Sequence, residues 1–296
     1  MKATGQPLVS IVLPTHNGSR YVRQAIDSCL AQTLRDWELV VIDDGSVDGT
    51  PAILDACAKL DSRVKVFRNS QNAGLPRSLN AGFARASGRY FTWISDDNQF
   101  RPDALETLAA VLDHKPDVDI VYSDYSVVND DDLAVEFRRA DPIQRCVFVN
   151  CIGASFLYRQ EVHHALRGFD ADRRYVEDYD FWLRAAGRFK FQAVAQDLYL
   201  YRLHSGSLSS RHRRAILHAH RTLLRERLPG MAWLDGTTRA RACVHLARVA
   251  IGQGRLIAAA ADVWLGCRID FGAVAADCID RARRSFHRRF AEAVLR

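Results

Sequence analysis

An apolar run, Tyr90-Phe91-Thr92-Trp93-Ile94, ends abruptly in Ser95-Asp96-Asp97-Asn98. No other stretch constrains the fold as much. The run reads as a buried strand. Carboxylates are costly to bury unless they are paired or hold a cation. Two of them at the C-terminal end of a strand therefore belong at the mouth of a sheet. There they form either a polar turn or a site for a hard divalent cation, with phosphate oxygens as further ligands.

The chain before this junction repeats one unit. Val9 to Leu13 is a β-branched strand stopped by Pro14, followed by the turn Thr15-His16-Asn17-Gly18 and a helical pattern from Tyr21 to Gln32. Trp37 to Ile42 is a second strand, ending at Asp43-Asp44-Gly45-Ser46 before a helix that runs to about Leu60. Val64 to Phe67 is a third strand, followed by a turn at Asn72–Pro76 and a helix from Arg77 to Ala86. Strands alternating with helices predict an α/β fold with a doubly wound, mostly parallel sheet. Ligands of such sheets sit beyond the carboxyl ends of the strands. Pro14–Asn17, Asp43–Ser46 and Ser95–Asn98 should then meet in one crevice.

Beyond Pro102 the pattern predicts a helix over 103–114 and a strand near 119–125. The small residues Gly153-Ala154-Ser155 permit close approach of a ligand or of another backbone. Glu177-Asp178 opens a helix containing Phe181 and Trp182. Phe189 to Leu200 is strand-like, and Tyr201 to Ser209 is a polar loop. Carboxylates in a first helical turn favour the helix dipole, so Glu177 and Asp178 have a structural explanation as well as a chemical one.

Charge divides the 296-residue chain. Residues 1–210 carry 24 Lys and Arg against 28 Asp and Glu, whereas residues 211–296 carry 17 against 7. The tail reads as a basic helical appendage with two arginine clusters, Arg211 to Arg227 and Arg281 to Arg289. Such helices suit an anionic membrane surface, and equally a solvated face or an oligomer contact. Nucleic-acid binding as the main function conflicts with the acidic first two thirds of the chain. Seven scattered cysteines with no Cys-x-x-Cys argue for a reducing compartment. Neither a signal peptide nor a run of about 18 apolar residues is visible. The expected placement is cytoplasmic, with peripheral contact at the inner face of the membrane through the tail.

The motifs form an ordered set. Ser10-Ile-Val-Leu-Pro-Thr-His-Asn-Gly18 is followed by Val40 to Thr50, Asn72-Ala-Gly74 and Asn80-Ala-Gly82. Ser95-Asp-Asp-Asn98, Glu177 to Arg184 and Tyr201-Arg-Leu-His204 complete it. Over about residues 7–210 this resembles the family 2 inverting glycosyltransferases of the GT-A fold. The resemblance implies a nucleotide half at about 7–125, an acceptor half at about 126–210, a nucleotide-sugar donor (a UDP- or dTDP-sugar) and Mn²⁺ or Mg²⁺. It places Pro14, Thr15, His16, Asn17, Asp44 and Asp96 on the nucleotide, with His16 standing where many relatives have Tyr or Phe. Asp97 and His204 would serve the metal, and Asp178 would be the catalytic base. Glu177, Trp182 and Gly153, Ala154 and Ser155 would face the acceptor, a glycan or lipid-linked hydroxyl in surface polysaccharide or glycoconjugate assembly. Arg77 and Arg202 are candidates to screen phosphate charge. Two rivals remain from the residues themselves. One is an inactive nucleotide-sugar-binding module. The other is a nucleotidyltransferase, although the first turn lacks the Gly-rich basic phosphate loop expected of one. No Gln-x-x-Arg-Trp sequence marks a processive polymerase.

Overall fold

The structure, a computed structural model, describes residues 5–294, with side chains described through residue 280. It comprises two compact units, Met1–Cys146 with Asn150–Ala219, and Val147–Val149 with His220–Arg296.

The first unit is built on one nine-stranded sheet. β1 (Val9–Thr15) and β2 (Trp37–Asp43) are buried along their whole length. That explains their near-continuous apolar sequences, because a central parallel strand has both faces covered. β3 (Val64–Arg68) is an edge strand and is largely exposed. β4 (Tyr90–Trp93) pairs with β1 on the other side, so β3-β2-β1-β4 is a continuous parallel segment. Helices α1 (Val22–Leu30), α2 (Thr50–Leu60) and α3 (Leu75–Phe83) are its crossovers, and α4 (Ala104–His114) follows the segment. The core unites Val9, Ile11 and Leu13 with Ile26, Trp37, Leu39, Leu54, Leu105 and Leu108.

The sheet continues as β8-β6-β9-β5, comprising β5 (Gln99–Phe100), β6 (Ile120–Val128), β8 (Phe156–Arg159) and β9 (Phe191–Arg202). β6 and β9 are parallel, while β8 and β5 run against their neighbours. β7 (Ala134–Arg138) forms a hairpin with β6, and every one of its residues is exposed. Leu133 just before it, Val135 and Phe137 alternate and are exposed as well, at 63%, 58% and 51%. α5 (Gln160–Leu166) and α6 (Glu177–Ala186) complete the α/β architecture.

After α7 (Leu208–Arg211) comes α8 (Arg213–Arg227), within which the division between the units falls. In the second unit α9 (Gly236–Gly252) packs on α10 (Leu256–Val294). α10 is broken at Asp270 (φ −158°, ψ 96°), whose carboxylate accepts the amide of Ala273 and so caps the second segment. Arg221 and Asp262 form a buried ion pair at 2.6 Å, and Arg225 reaches the same carboxylate at 2.7 Å. The cluster from Arg281 to Arg289 lies outside the residues whose side chains are described. No helix among the described residues is long and apolar enough to cross a membrane.

Candidate active site

The parallel register sets the site. Thr15 lies opposite Asp43, and Val12 lies opposite both Val40 and Trp93, so the three strands end together. Their following turns line one cleft of about 780 Å³, within the size range of small-molecule sites. It is walled by Pro14, Thr15, His16, Asn17, Asp44, Asp96 and Asp97 on this side. On the other side stand Arg174, Tyr175, Glu177, His204, Arg211 and His212.

Close packing fixes the floor. The Thr15 hydroxyl donates to Asp96 Oδ2. Gly18 lies against that pair, and a Cβ there would fall 2.2 Å from Asp96 Oδ2. Asn17 is left-handed (φ 57°), a conformation its short polar side chain tolerates. His16 Nδ1 lies 2.9 Å from the Asp44 carbonyl oxygen. The Asp44 carboxylate accepts the amides of Ala73 and Gly74 and the Asn69 side chain, each at 2.8–2.9 Å. Asp44 thus holds the Asn72–Gly74 turn in place, a role in the protein itself whatever it contacts in a ligand.

Burial, and next the Asp97 charge, push the Asp96 carboxyl up to about 7. Burial also raises Asp97, against the opposing effect of His204. His204 Nε2 is 3.1 Å from Asp97 Oδ2, and the His204 ring stands edge-on to Tyr21 at 4.9 Å. Two carboxylates and an imidazole make a donor set suited to Mn²⁺ or Mg²⁺. Among the described residues no three His, Cys, Asp or Glu side chains are grouped closely enough to hold a metal by themselves.

Consecutive carboxylates at the start of α6 face different ways. Glu177 lines the cleft, is 5% exposed, and has one oxygen with no hydrogen-bond partner. Burial, and next Asp178, raise it to about 8. Asp178 is not among the residues that line it. Its Oδ2 accepts from Asn150 Nδ2 at 2.9 Å, and its charge is felt by Tyr125 and Tyr201. Burial raises the Asp178 carboxyl as well. Just before this pair Tyr175 is held left-handed at φ 74°, a strained conformation for an aromatic residue, with its ring tilted against that of His212 at 5.0 Å.

Three sequence expectations need correction. Trp182 is fully buried against Phe156 and Phe181 and has no face for an acceptor. Ser155 is also fully buried, its hydroxyl 2.6 Å from that of Ser123. Arg202 is 1% exposed, and its guanidinium is consumed by the carbonyls of Asp97, Asn129 and Asp130 and the side chains of Gln24 and Asp132. It clamps the Asp97 turn and has no donor left for phosphate. Of the other small residues, Ala154 is half-buried, and Gly153 (φ 66°) lies so close to the Tyr125 ring that a Cβ would collide with it. Arg77 is exposed, lies outside the cleft and is 3.8 Å from Asp172. The cations that do line the cleft are Arg20, Arg174 and Arg211. Arg174 sits three residues before Glu177, and that proximity was its only sequence signal. Arg211 was concealed within a basic tail.

Residues 10–167 match the profile of the family described as Glycosyl transferase family 2. An uncharacterized glycosyltransferase of Haemophilus influenzae is 28% identical over 219 residues, covering 69% of this chain and 68% of its own length. One from Rickettsia typhi is 31% identical over 206 residues, 65% of this chain and 61% of its own. The chain thus spans under two thirds of that relative. A putative teichuronic acid biosynthesis glycosyltransferase of Bacillus subtilis, TuaG, is 36% identical over 101 residues, 34% of this chain and 40% of its own. Among solved structures, S. aureus TarS 1–349 in complex with UDP-GlcNAc superposes with a TM-score of 0.65 at 20% identity, covering 81% of this chain and 70% of that one. The mannosyltransferase PcManGT from Pyrobaculum calidifontis, in complex with GDP-Man and Mn²⁺, gives 0.62 at 17%, covering 96% and 81%. The fold is that of the GT-A glycosyltransferases.

Proposed function

The chain belongs to glycosyl transferase family 2, and from that premise we propose that it transfers a sugar, with inversion, from a nucleoside-diphosphate sugar to a hydroxyl of a glycan or lipid-linked acceptor. One observation carries the reading. The first turn of α6 sends Glu177 into the cleft that holds Asp96, Asp97 and His204, and sends Asp178 toward Asn150 and the tyrosine side. This supports reading the donor on the Glu177 side of the turn and the acceptor on the Asp178 side.

The nucleotide lies along Pro14–Asn17 with the Asp44 turn beside it, and its diphosphate faces Arg174, Arg211 and Arg20. Asp97, Asp96 and His204 would hold a divalent cation, which would supply positive charge for the leaving diphosphate. Asp178, oriented by Asn150, takes the proton of the acceptor hydroxyl. The acceptor oxygen bonds to the anomeric carbon as the bond from that carbon to the diphosphate oxygen breaks, and the nucleoside diphosphate departs. Glu177 holds a proton at neutral pH and donates it as a hydrogen bond within the cleft. UDP-GlcNAc in one structural neighbour and GDP-Man with Mn²⁺ in another support this class of donor and cation. The teichuronic acid relative supports surface polysaccharide assembly as the setting. A lipid-linked acceptor would place the enzyme at the inner face of a membrane.

The test is the melting temperature with nucleoside diphosphates and nucleotide sugars, each with and without Mn²⁺, since a ligand of the folded state alone raises it. A metal-dependent rise with one base, abolished by Asp97→Ala, is expected. No rise with any nucleotide in folded protein would overturn the donor assignment.

A further inference from the structure

Asp97 is held from two directions. Its carbonyl oxygen accepts from the Arg202 guanidinium at 3.1 Å, and its carboxylate Oδ2 lies 3.1 Å from His204 Nε2. Both supports rest on one aromatic ring. The Arg202 guanidinium carbon is 4.6 Å from the centre of the Tyr21 ring. The His204 ring meets the same ring at 4.9 Å, with the two planes at 62°. A guanidinium over an aromatic face and a ring edge against one are each attractive arrangements.

Tyr21 is itself well anchored. Its amide donates to the Gly18 carbonyl at 3.0 Å, which fixes it at the entrance to α1. Its hydroxyl donates to Asp130 in the turn between β6 and β7. Arg20 pairs with the same carboxylate at 3.3 Å and lies 4.7 Å from the centre of the Tyr21 ring. Tyr21 is buried, yet it borders the cleft. Gly206 closes in on His204 as well, since a Cβ there would fall 3.1 Å from His204 Nδ1. With Asp97 at Nε2, Gly206 beside Nδ1 and Tyr21 against the ring, the imidazole is confined from three directions.

We infer that Tyr21 is a positioning residue: its ring seats Arg202 on the Asp97 carbonyl and His204 on the Asp97 carboxylate, and so sets how Asp97 and His204 face the cleft. The seating of His204 does not depend on the transfer reaction. Its consequence for a divalent cation rests on the function proposed above.

Two variants of the full chain separate the ring from the hydroxyl. Tyr21→Phe keeps the ring and loses the bond to Asp130. Tyr21→Met fills much of the same volume with a flexible chain that has no aromatic face, and Tyr21→Leu serves in its place should Tyr21→Met not fold. The first readout needs no ligand. It is nitrogen NMR of the histidine side chains in metal-free protein at one pH, with the His204 signals identified by their absence from His204→Ala. They should hold in Tyr21→Phe and move in Tyr21→Met. The second is titration with Mn²⁺ in the presence of UDP, dTDP or GDP in turn, with free Mn²⁺ counted by electron paramagnetic resonance. Tyr21→Met should weaken Mn²⁺ binding about tenfold or more, and Tyr21→Phe far less. In a His204→Ala background the further loss from Tyr21→Met should shrink, because the two residues act together. Unmoved His204 signals in folded Tyr21→Met would overturn the inference, as would equal displacement in Tyr21→Phe or losses that add fully with His204→Ala. Wild-type protein that takes up no Mn²⁺ with any of these nucleotides would count against the proposed cation site and not against the seating of His204, which the metal-free spectra decide.

Discussion

Glu177→Gln tests the electrostatics of the cleft without reference to any ligand. Glu177 is almost fully buried and one of its oxygens is unpartnered, so the charged form is penalised and the carboxyl titrates at about 8, against an ordinary 4.5. Between those values the folded chain keeps a proton that the unfolded chain has released. Fewer protons on the unfolded state mean that stability falls as pH rises. The contribution is fully present below pH ~4.5 and is lost as pH passes through about 8. At ~1.4 kcal/mol per unit, the ceiling is roughly 5 kcal/mol. Asp178 supplies part of that shift, so a loss of about 2–4 kcal/mol is expected for Glu177 alone. Gln has nearly the same shape and cannot ionise. Urea unfolding of both proteins, followed by tryptophan fluorescence and circular dichroism, should show matching stability at about pH 5 and a growing advantage for the variant by about pH 9. In an Asp178→Asn background the advantage should shrink. A stability difference that is flat across this pH range would refute the reasoning, because it would mean that Glu177 is ionised in the folded state at no cost.

Asp178→Asn should spare nucleotide binding, measured by calorimetry, and reduce transfer by about 10²-fold or more, as expected on removing a general base. Gly18→Ala places a methyl group where Asp96 Oδ2 stands. It should cost roughly 1–3 kcal/mol of stability by overpacking and weaken donor binding further, both visible in one melting experiment. Arg202→Met leaves several carbonyls and Asp132 without their donor. A loss of roughly 3–5 kcal/mol in chemical unfolding is expected, and Arg202→Lys should not restore it because the planar fork is what spans these acceptors. Asp262→Asn leaves Arg221 buried without a counter-charge. It should destabilise the second unit by a similar roughly 3–5 kcal/mol, while nucleotide binding measured below the transition stays as it was.

The convergence of the strand-end motifs was legible because parallel topology leaves them nowhere else to go. Three short polar sets, each directly after an apolar run, must share one edge of the sheet. Thr15, Asp44 and Asp96–Asp97 do so. What the sequence concealed is direction. Trp182 and Phe181 are adjacent on a helix, and spacing alone cannot separate a cavity wall from a filled core. Arg202, the last residue of β9, is buried and Leu203 just beyond it is 48% exposed, the reverse of what their polarity suggests. A small-residue cluster signals close approach without saying by what, and at Gly153 the neighbour is the protein's own Tyr125 ring. Arg211 belongs to the cleft through tertiary placement, and nothing in a run of arginines distinguishes the one that lines it.

Arg202 also fixes when the site can come into being. Its amide bonds Asn98 Oδ1 and its guanidinium bonds the Asp97 carbonyl, contacts that span 104 and 105 residues of sequence. The parallel segment up to β4 closes over 81 residues between Thr15 and Asp96 and is complete in sequence well before Arg202 is made. On the ribosome the Asp96–Asp97 turn emerges with its clamp still unsynthesised. A nascent chain that stops before residue 202 can own most of the nucleotide wall and yet lack the strand that holds Asp97 in place.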